Sequence, residues 1–338
     1  MKKSELTNRC LFGWKGATWR VSLVLLIFLT AFALGSGSLA HAACDEAQGS
    51  IAIAQCPFTI TKPGCYFLPK DLADCTSTAI LVNASDVNIN LNNHNISSAP
   101  GSGITGILAQ GPVQLSNVNV QGPGVVEGFL NGVVLDDVAD SSVDGIEVRD
   151  VIRGIVVAGS RGFGSFRDVI SNNKVDDLIG DTGIQVGAPG PALRIHVRQN
   201  QVSSQNTTLN PNGAGIRLVA TGNNVIDGNT ASNGAGLGIL LQVSNLNVVT
   251  NNITGNNGRS GIFVSAGRDN FIAANQANNN GENGIRIEGA DNFIIRNQAL
   301  GNQVDLFDAQ ADCDNNIWRN NIFLTDSEGN GPGVGCIQ

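Results

Sequence analysis

The chain has 338 residues, with 20 Lys plus Arg against 28 Asp plus Glu, a net charge of −8, and only 14% charged and 5% aromatic residues. No basic stripe with interleaved aromatics runs through it, which argues against a nucleic-acid partner. An acidic surface also repels polyanions, so an anionic ligand would need a bridging cation or a local basic group.

Residues 1–42 read as an export signal. Lys2, Lys3, Arg9, Lys15 and Arg20 precede an apolar core from Val21 to Leu34, and Ala40-His41-Ala42 supplies the small-residue cleavage pattern. The apolar core is short for a membrane span. Cleavage takes away five basic groups and one acid, leaving 15 Lys plus Arg against 27 Asp plus Glu, a net of −12. The expected location is secreted or periplasmic, and the processed chain is not an integral membrane protein.

Cysteine usage fits export. Cys10 goes with the signal; Cys44, Cys56, Cys65, Cys75, Cys313 and Cys336 remain, and an even count in an exported chain reads as disulfides. Cys313–Cys336 is expected to close the C-terminal end. The four N-terminal cysteines allow three pairings, of which Cys44–Cys56 with Cys65–Cys75 is favoured. A zinc site is the rival reading, but no CxxC pair exists.

Residues 43–78 read as an N-terminal cap, with a turn at Pro63-Gly64. From Ala79 short strands begin: Val87, Ile89 and Leu91 alternate cleanly in AILVNASDVNINLNN. Later units start near Gly106, Gly132, Gly154 and Gly183. Then the chain repeats itself, with Gly-Ile at Gly215, Gly238, Gly261 and Gly284, each 23 residues after the last. A fixed period of this size signals a repeat architecture. The units hold apolar alternation and no helical periodicity, so each is two or three short strands. One unit cannot bury its own apolar face, whereas stacked units can. The predicted fold is all-β: a right-handed parallel β-helix of about nine coils over 79–305, roughly 40 Å long at the spacing of sheet strands. Residues 306–338 read as a C-terminal cap.

Two asparagine columns support the stack. Asn224, Asn247, Asn270 and Asn292 precede the second apolar run; Asn229, Asn252, Asn275 and Asn297 follow it. Asparagine tolerates the left-handed backbone of a sharp corner, and its amide can bond to the asparagine above and below.

These columns, the opening PGCYFLPKDL…VNINLNNHNI and the closing CDNNIWRNNIF…C resemble the exported bacterial right-handed parallel β-helix proteins of the pectate-lyase-like superfamily. The resemblance covers nearly all of 44–338. It implies the fold and an association with polysaccharides, but not an activity, since that superfamily holds several chemistries and many members with none assigned. Asp136-Asp137 and Asp176-Asp177 match one part of a polygalacturonase set, whereas its Gly-His-Gly and Arg-x-Lys parts are missing. The epimerase Asp-Pro-His and the local motifs of pectate lyases are missing too. Copper handling wants Met, His and free Cys; the mature chain has no Met and two histidines, His94 and His196, read as a corner residue and a surface or turn residue.

The candidate site comes from geometry. With Ile216 and Leu218 pointing inward, Arg217 points out. The same outward position in other coils gives Val134, Val156, Gln185, Leu240, Phe263 and Arg286. Gln185, Arg217, Phe263 and Arg286 are the expected ligand contacts. Insertions at 158–166, 187–192 and 204–213 bracket this face. Asp176, Asp177 and Asp181, on the turn entering the Gln185 strand, join Arg217 as the groups that could act as acid, base or Ca²⁺ ligands. No cofactor is required, and Ca²⁺ is a possible ligand of this set. The expected partner is a polysaccharide or cell-surface glycan, bound or processed along one face; the alternative is a non-catalytic structural or adhesive solenoid.

Overall fold

The computed structural model describes Cys44 and residues 49–98, 103–203, 213–310, 312–329, 331–332 and 335–338; the expected export signal lies outside them. From Cys44 onward the chain winds into a parallel β-helix. Its first sheet has eleven strands, including Ala214–Val219, Leu237–Gln242, Ile262–Ser265 and Asn283–Ile287. The second has twelve, among them Val225–Asp227 and Val248–Thr250, and the third has eight, among them Thr230–Ser232 and Ile253–Gly255. A short fourth sheet of two-residue strands, such as Val138–Ala139 and Ser165–Phe166, fills the corner between first and second. Among the described residues no helix is long and apolar enough to cross a membrane.

The 23-residue period is the register. Ile216 pairs with Ile239, Ile239 with Ile262, and Ile262 with Ile285, all in the first sheet. The inward residues, such as Ile216, Leu218, Ile226 and Ile239, are fully buried in one continuous core. Burying each is worth about 1.5–3 kcal/mol, so stacking rather than local propensity holds the coils.

The stack runs to about eleven turns rather than nine. The segment expected as an N-terminal cap is itself coiled: Phe58–Ile60 pairs with Ile80–Val82, and Gly64–Phe67 with Val87–Asn90. At the other end Ile317–Arg319 pairs with Phe293–Ile295. These end turns contribute apolar side chains to the core without Gly-Ile, so the period is invisible there. The favoured N-terminal disulfide pairing is corrected. The bridges are Cys44–Cys65 and Cys56–Cys75, 21 and 19 residues apart, and Cys313–Cys336, 23 apart, is as expected. In a solenoid the near neighbour in space lies about one turn along the chain, so pairing the closest cysteines in sequence was the wrong rule.

The glycine column has a steric cause. A Cβ built on Gly132, Gly183, Gly238 or Gly261 would lie 2.5–2.8 Å from the carbonyl oxygen of the column glycine one coil on. Real Cβ atoms do not come so close to backbone, so only glycine lets the coils approach at this corner.

The asparagines form ladders, and both expected columns are fully buried. In each step the backbone N–H and the side-chain Nδ2 of one asparagine donate to the Oδ1 of the next, as from Asn229 to Asn252 at 2.9 and 3.0 Å. The second Nδ2 proton reaches a carbonyl oxygen one coil back, from Asn252 to Ile226 at 2.9 Å. A third ladder, Asn257, Asn280 and Asn302, had not been singled out. The left-handed role falls elsewhere than expected: the residue before each ladder asparagine takes positive φ, as Asn223, Asn251, Ala274 and Arg296 do. Turning at that residue aims the following amide up the stack.

Asp168 stands at the position of the first column two coils before Asn224, with Ile195 between them. It is fully buried, its Oδ1 accepts from the Ser141 N–H at 2.9 Å, and its Oδ2 has no partner. Burial pushes its carboxyl well above the usual carboxylate range; Asp140 adds to this, while the Ser141 N–H and Arg167 oppose it. A folded-state value raised above the unfolded one means that stability is fully present at low pH and is lost as pH climbs from about 3.8 through the raised value. Asp168→Asn should therefore unfold at higher urea than the wild type at neutral pH, by on the order of 1–3 kcal/mol, with the gap closing near pH 4. An equal gap at both pH values would contradict this.

Candidate functional site

The outward column of the first sheet is in register. Gln185 pairs with Arg217, Arg217 with Leu240, Leu240 with Phe263, Phe263 with Arg286, and Arg286 with Phe307. The column divides into two environments.

Around Arg217 it is polar. Nη1 lies 3.4–3.5 Å from the two oxygens of Asp181, and Nη2 donates to Gln242 Oε1 at 2.8 Å. Its Nε is buried with no partner, and so is the Oγ1 of Thr182 in the adjacent coil. The ion pair is only partly sheltered, with side-chain exposures of 23% and 29%. The Gln185 amide donates to the carbonyl oxygens of Gly187 and Ala188, at 3.4 and 3.1 Å, and so steadies the 187–192 insertion.

Further along, Arg286 is held by its neighbours. Its guanidinium lies 5.0 Å from the Phe263 ring centre and 5.2 Å from that of Phe307, and it pairs with Glu288. A cation between two rings stabilises the stack. Phe263 also packs on Leu237, Leu240 and Ala214, an apolar cluster on the outside of the sheet.

Of the three acids expected beside Arg217, only Asp181 reaches it. Asp176 is the last residue of Lys174–Asp176 in the third sheet, facing out from a different side of the rod. Burial pushes its carboxyl up, but the Ser203 hydroxyl, Lys174 and the Asp177 N–H outweigh that and hold it below the usual range. Asp177 is an exposed corner residue with φ of 46°. The sequence placed all three on one turn because the boundary between the third sheet and the corner leaves no mark in residue type.

Asp136 and Asp137 belong to the insertion rather than to chemistry. Both are buried. Asp136 Oδ1 accepts from the Ser160 N–H, and Asp137 accepts from the N–H groups of Arg161 and Gly164, at 2.6–2.7 Å. They pin the 158–166 insertion at the corner between first and second sheets. The 187–192 insertion lies at the same corner, and of the 204–213 insertion residues 204–212 lie outside the described residues. His94 lies 3.1 Å from Asp71, and His196 sits on the second sheet, where burial and Arg198 hold its imidazole below its ordinary value.

Gln242 is the site residue absent from the expected set. Gln242 was legible: it lies one 23-residue step plus two residues beyond Arg217, which is the next outward position one coil up. Among the described residues the cluster with three potential metal ligands is Cys313, Glu328 and Cys336, whose cysteines are bonded to each other.

A family model described as right handed beta helix region matches residues 131–304. Among curated proteins none matches this chain. Several solved structures share the fold. A double mutant of a periplasmic alginate epimerase is 15% identical with a TM-score of 0.58, over 82% of this chain and 74% of its own. The A-module of an Azotobacter vinelandii mannuronan C-5 epimerase is 13% identical with a TM-score of 0.53, over 93% and 92%. DFA-IIIase from Arthrobacter chlorophenolicus, without its lid, is 12% identical with a TM-score of 0.55, over 78% and 79%. At these identities the likeness is one of fold.

Proposed function

This chain belongs to the right-handed β-helix family, and from that premise we propose that it binds a polysaccharide along the outer face of its first sheet, with Arg217 at the centre of the contact. The observation that carries the reading is the polar cluster of Asp181, Arg217 and Gln242, which follows Gln185 in a column apolar on either side as far as Arg286, and which leaves a buried Arg217 Nε without an acceptor. Such a donor is costly to leave unmade, and a hydroxyl or carboxylate oxygen of a sugar would satisfy it after a small shift. Two of the structures of similar fold are named for alginate and mannuronan, which agrees with the reading. Three disulfides fit an exported protein.

Binding suits the face better than catalysis. One carboxylate, Asp181, stands beside the arginine, whereas glycoside hydrolysis uses two. Ca²⁺ enters as an optional bridge between Asp181 and an acidic sugar. The test is a glycan array run with and without Ca²⁺, together with assays for reducing ends and for unsaturated products. Arg217→Ala should weaken binding at least tenfold, about 1.4 kcal/mol, while the melting temperature changes by only a few degrees. Unchanged binding moves the site off this face. Absence of binding to every glycan leaves the structural or adhesive solenoid, which the stacked and already paired Arg286 favours.

A further inference from the structure

We propose that the N-terminal half of the same face takes a hydrocarbon chain, so that the ligand is a glycan carrying acyl or alkyl substituents; the glycan part rests on the reading above. The outward column begins as hydrocarbon. Leu81 pairs with Leu108, Leu108 with Val134, Val134 with Val156, and only then does Gln185 follow. In one coil step the column passes from apolar to the polar cluster around Arg217.

The entry margin of this stretch is apolar as well. Ile104, Leu130 and Ile179 are 44–55% exposed at the corner where the chain enters the first sheet. Val113 and Phe163 are 60% and 46% exposed on the opposite edge, on loops held together by the Gln114 amide donating to the Gly164 carbonyl oxygen. Single exposed apolar residues are ordinary. Ile104, Leu130 and Ile179 widen the apolar column on its entry side; on the exit side the next outward positions are Gln110 and Asp136, bonded to each other and to Arg161 and Ser160, so the strip is bounded there by a polar edge. Arg153 is exposed on the same strand as Val156 and places a cationic donor at the junction between strip and cluster.

The size of the strip selects its occupant. Four coils at about 4.8 Å, crossed by strands of about five residues, give a face on the order of 300 Å². A stable dimer buries about 800 Å² on each partner, so a second copy would need more than twice the area. A linear hydrocarbon needs length rather than breadth, and the strip offers about 20 Å of it along the rod axis. Its continuity with a polar cluster in the same register suits an amphiphile whose saccharide lies over Arg217.

The test is a series of alkyl β-maltosides from methyl to dodecyl, each below its micelle concentration, titrated into the processed protein by calorimetry. Affinity should rise about threefold to fourfold per methylene. The double variant Leu108→Asn with Val134→Thr, which changes only outward positions, should flatten that slope while its melting curve reports that the rod is intact. A binding constant independent of chain length, or a slope unchanged in the double variant, overturns the inference. So does sedimentation showing a dimer that the double variant dissolves. If unsubstituted glycans bind on the array while the alkyl slope is flat, the hydrocarbon site falls and the polysaccharide reading stands. If the slope is present and no glycan binds, the reverse holds.

Discussion

Replacing Asn252 by alanine is expected to destabilise the rod by about 3–5 kcal/mol, read as a large drop in the urea midpoint. The side chain accepts two hydrogen bonds from Asn229 and donates one each to Ile226 O and Asn275 Oδ1. Truncation leaves two donors of Asn229 buried without an acceptor and removes the side-chain bond to the Ile226 carbonyl oxygen. The neighbouring Asn251→Ala is the control. Asn251 is an exposed corner residue with φ of 56°, and its side chain makes one bond, to Asp227. Its loss should cost about 1–2 kcal/mol, chiefly from the left-handed backbone. Equal effects at 251 and 252 would show that the ladder adds nothing to stability.

Gly238→Ala is expected to be comparably severe, at about 3 kcal/mol or more. The added methyl would lie 2.5 Å from the Gly261 carbonyl oxygen and 2.9 Å from Asn257 Nδ2 and Thr254 Cβ. One obstacle is backbone fixed by its own sheet and another belongs to the third ladder, so relief requires moving a whole coil. Gly162→Ala separates crowding from conformational preference. Gly162 has φ of 94° but open space around its Cβ position, so it should lose only about 1–2 kcal/mol. If thermal melts rank Gly162→Ala as the worse of the two, the close-approach explanation of the Gly-Ile column is wrong.

The fold was readable in the sequence because the period is strict where it matters. From Gly215 to Gly284 a residue that stands above its counterpart recurs at 22 or 23, and the Gly-Ile and Asn columns therefore name their own neighbours. The ends were harder. They join the same core through Phe58, Ile60 and Tyr66 but carry neither column, so two turns and the disulfide pairing went unseen. The site was partly readable. The outward register of Gln185, Arg217, Phe263 and Arg286 follows from alternation alone. Which acid meets Arg217 does not, because Asp181 is 36 residues away across a corner whose position depends on insertions outside the period. That Arg286 is occupied by Phe263 and Phe307 needed side-chain positions as well as register.

The ladders share a direction. In every step one Nδ2 proton donates toward the higher-numbered coil while the Oδ1 accepts from the lower-numbered one, so the amide dipoles share a sense along the column, and each column presents N–H donors at its C-terminal end. The last asparagines meet matching groups there. Asn302 donates to Asp305 and Asn316 to Asp308, both carboxylates, and Asn321 donates to the Gln338 carbonyl oxygen. The ladders are thus electrically polar along the rod axis, with carboxylates seated where two of the three columns stop, much as acidic residues sit at the start of a helix.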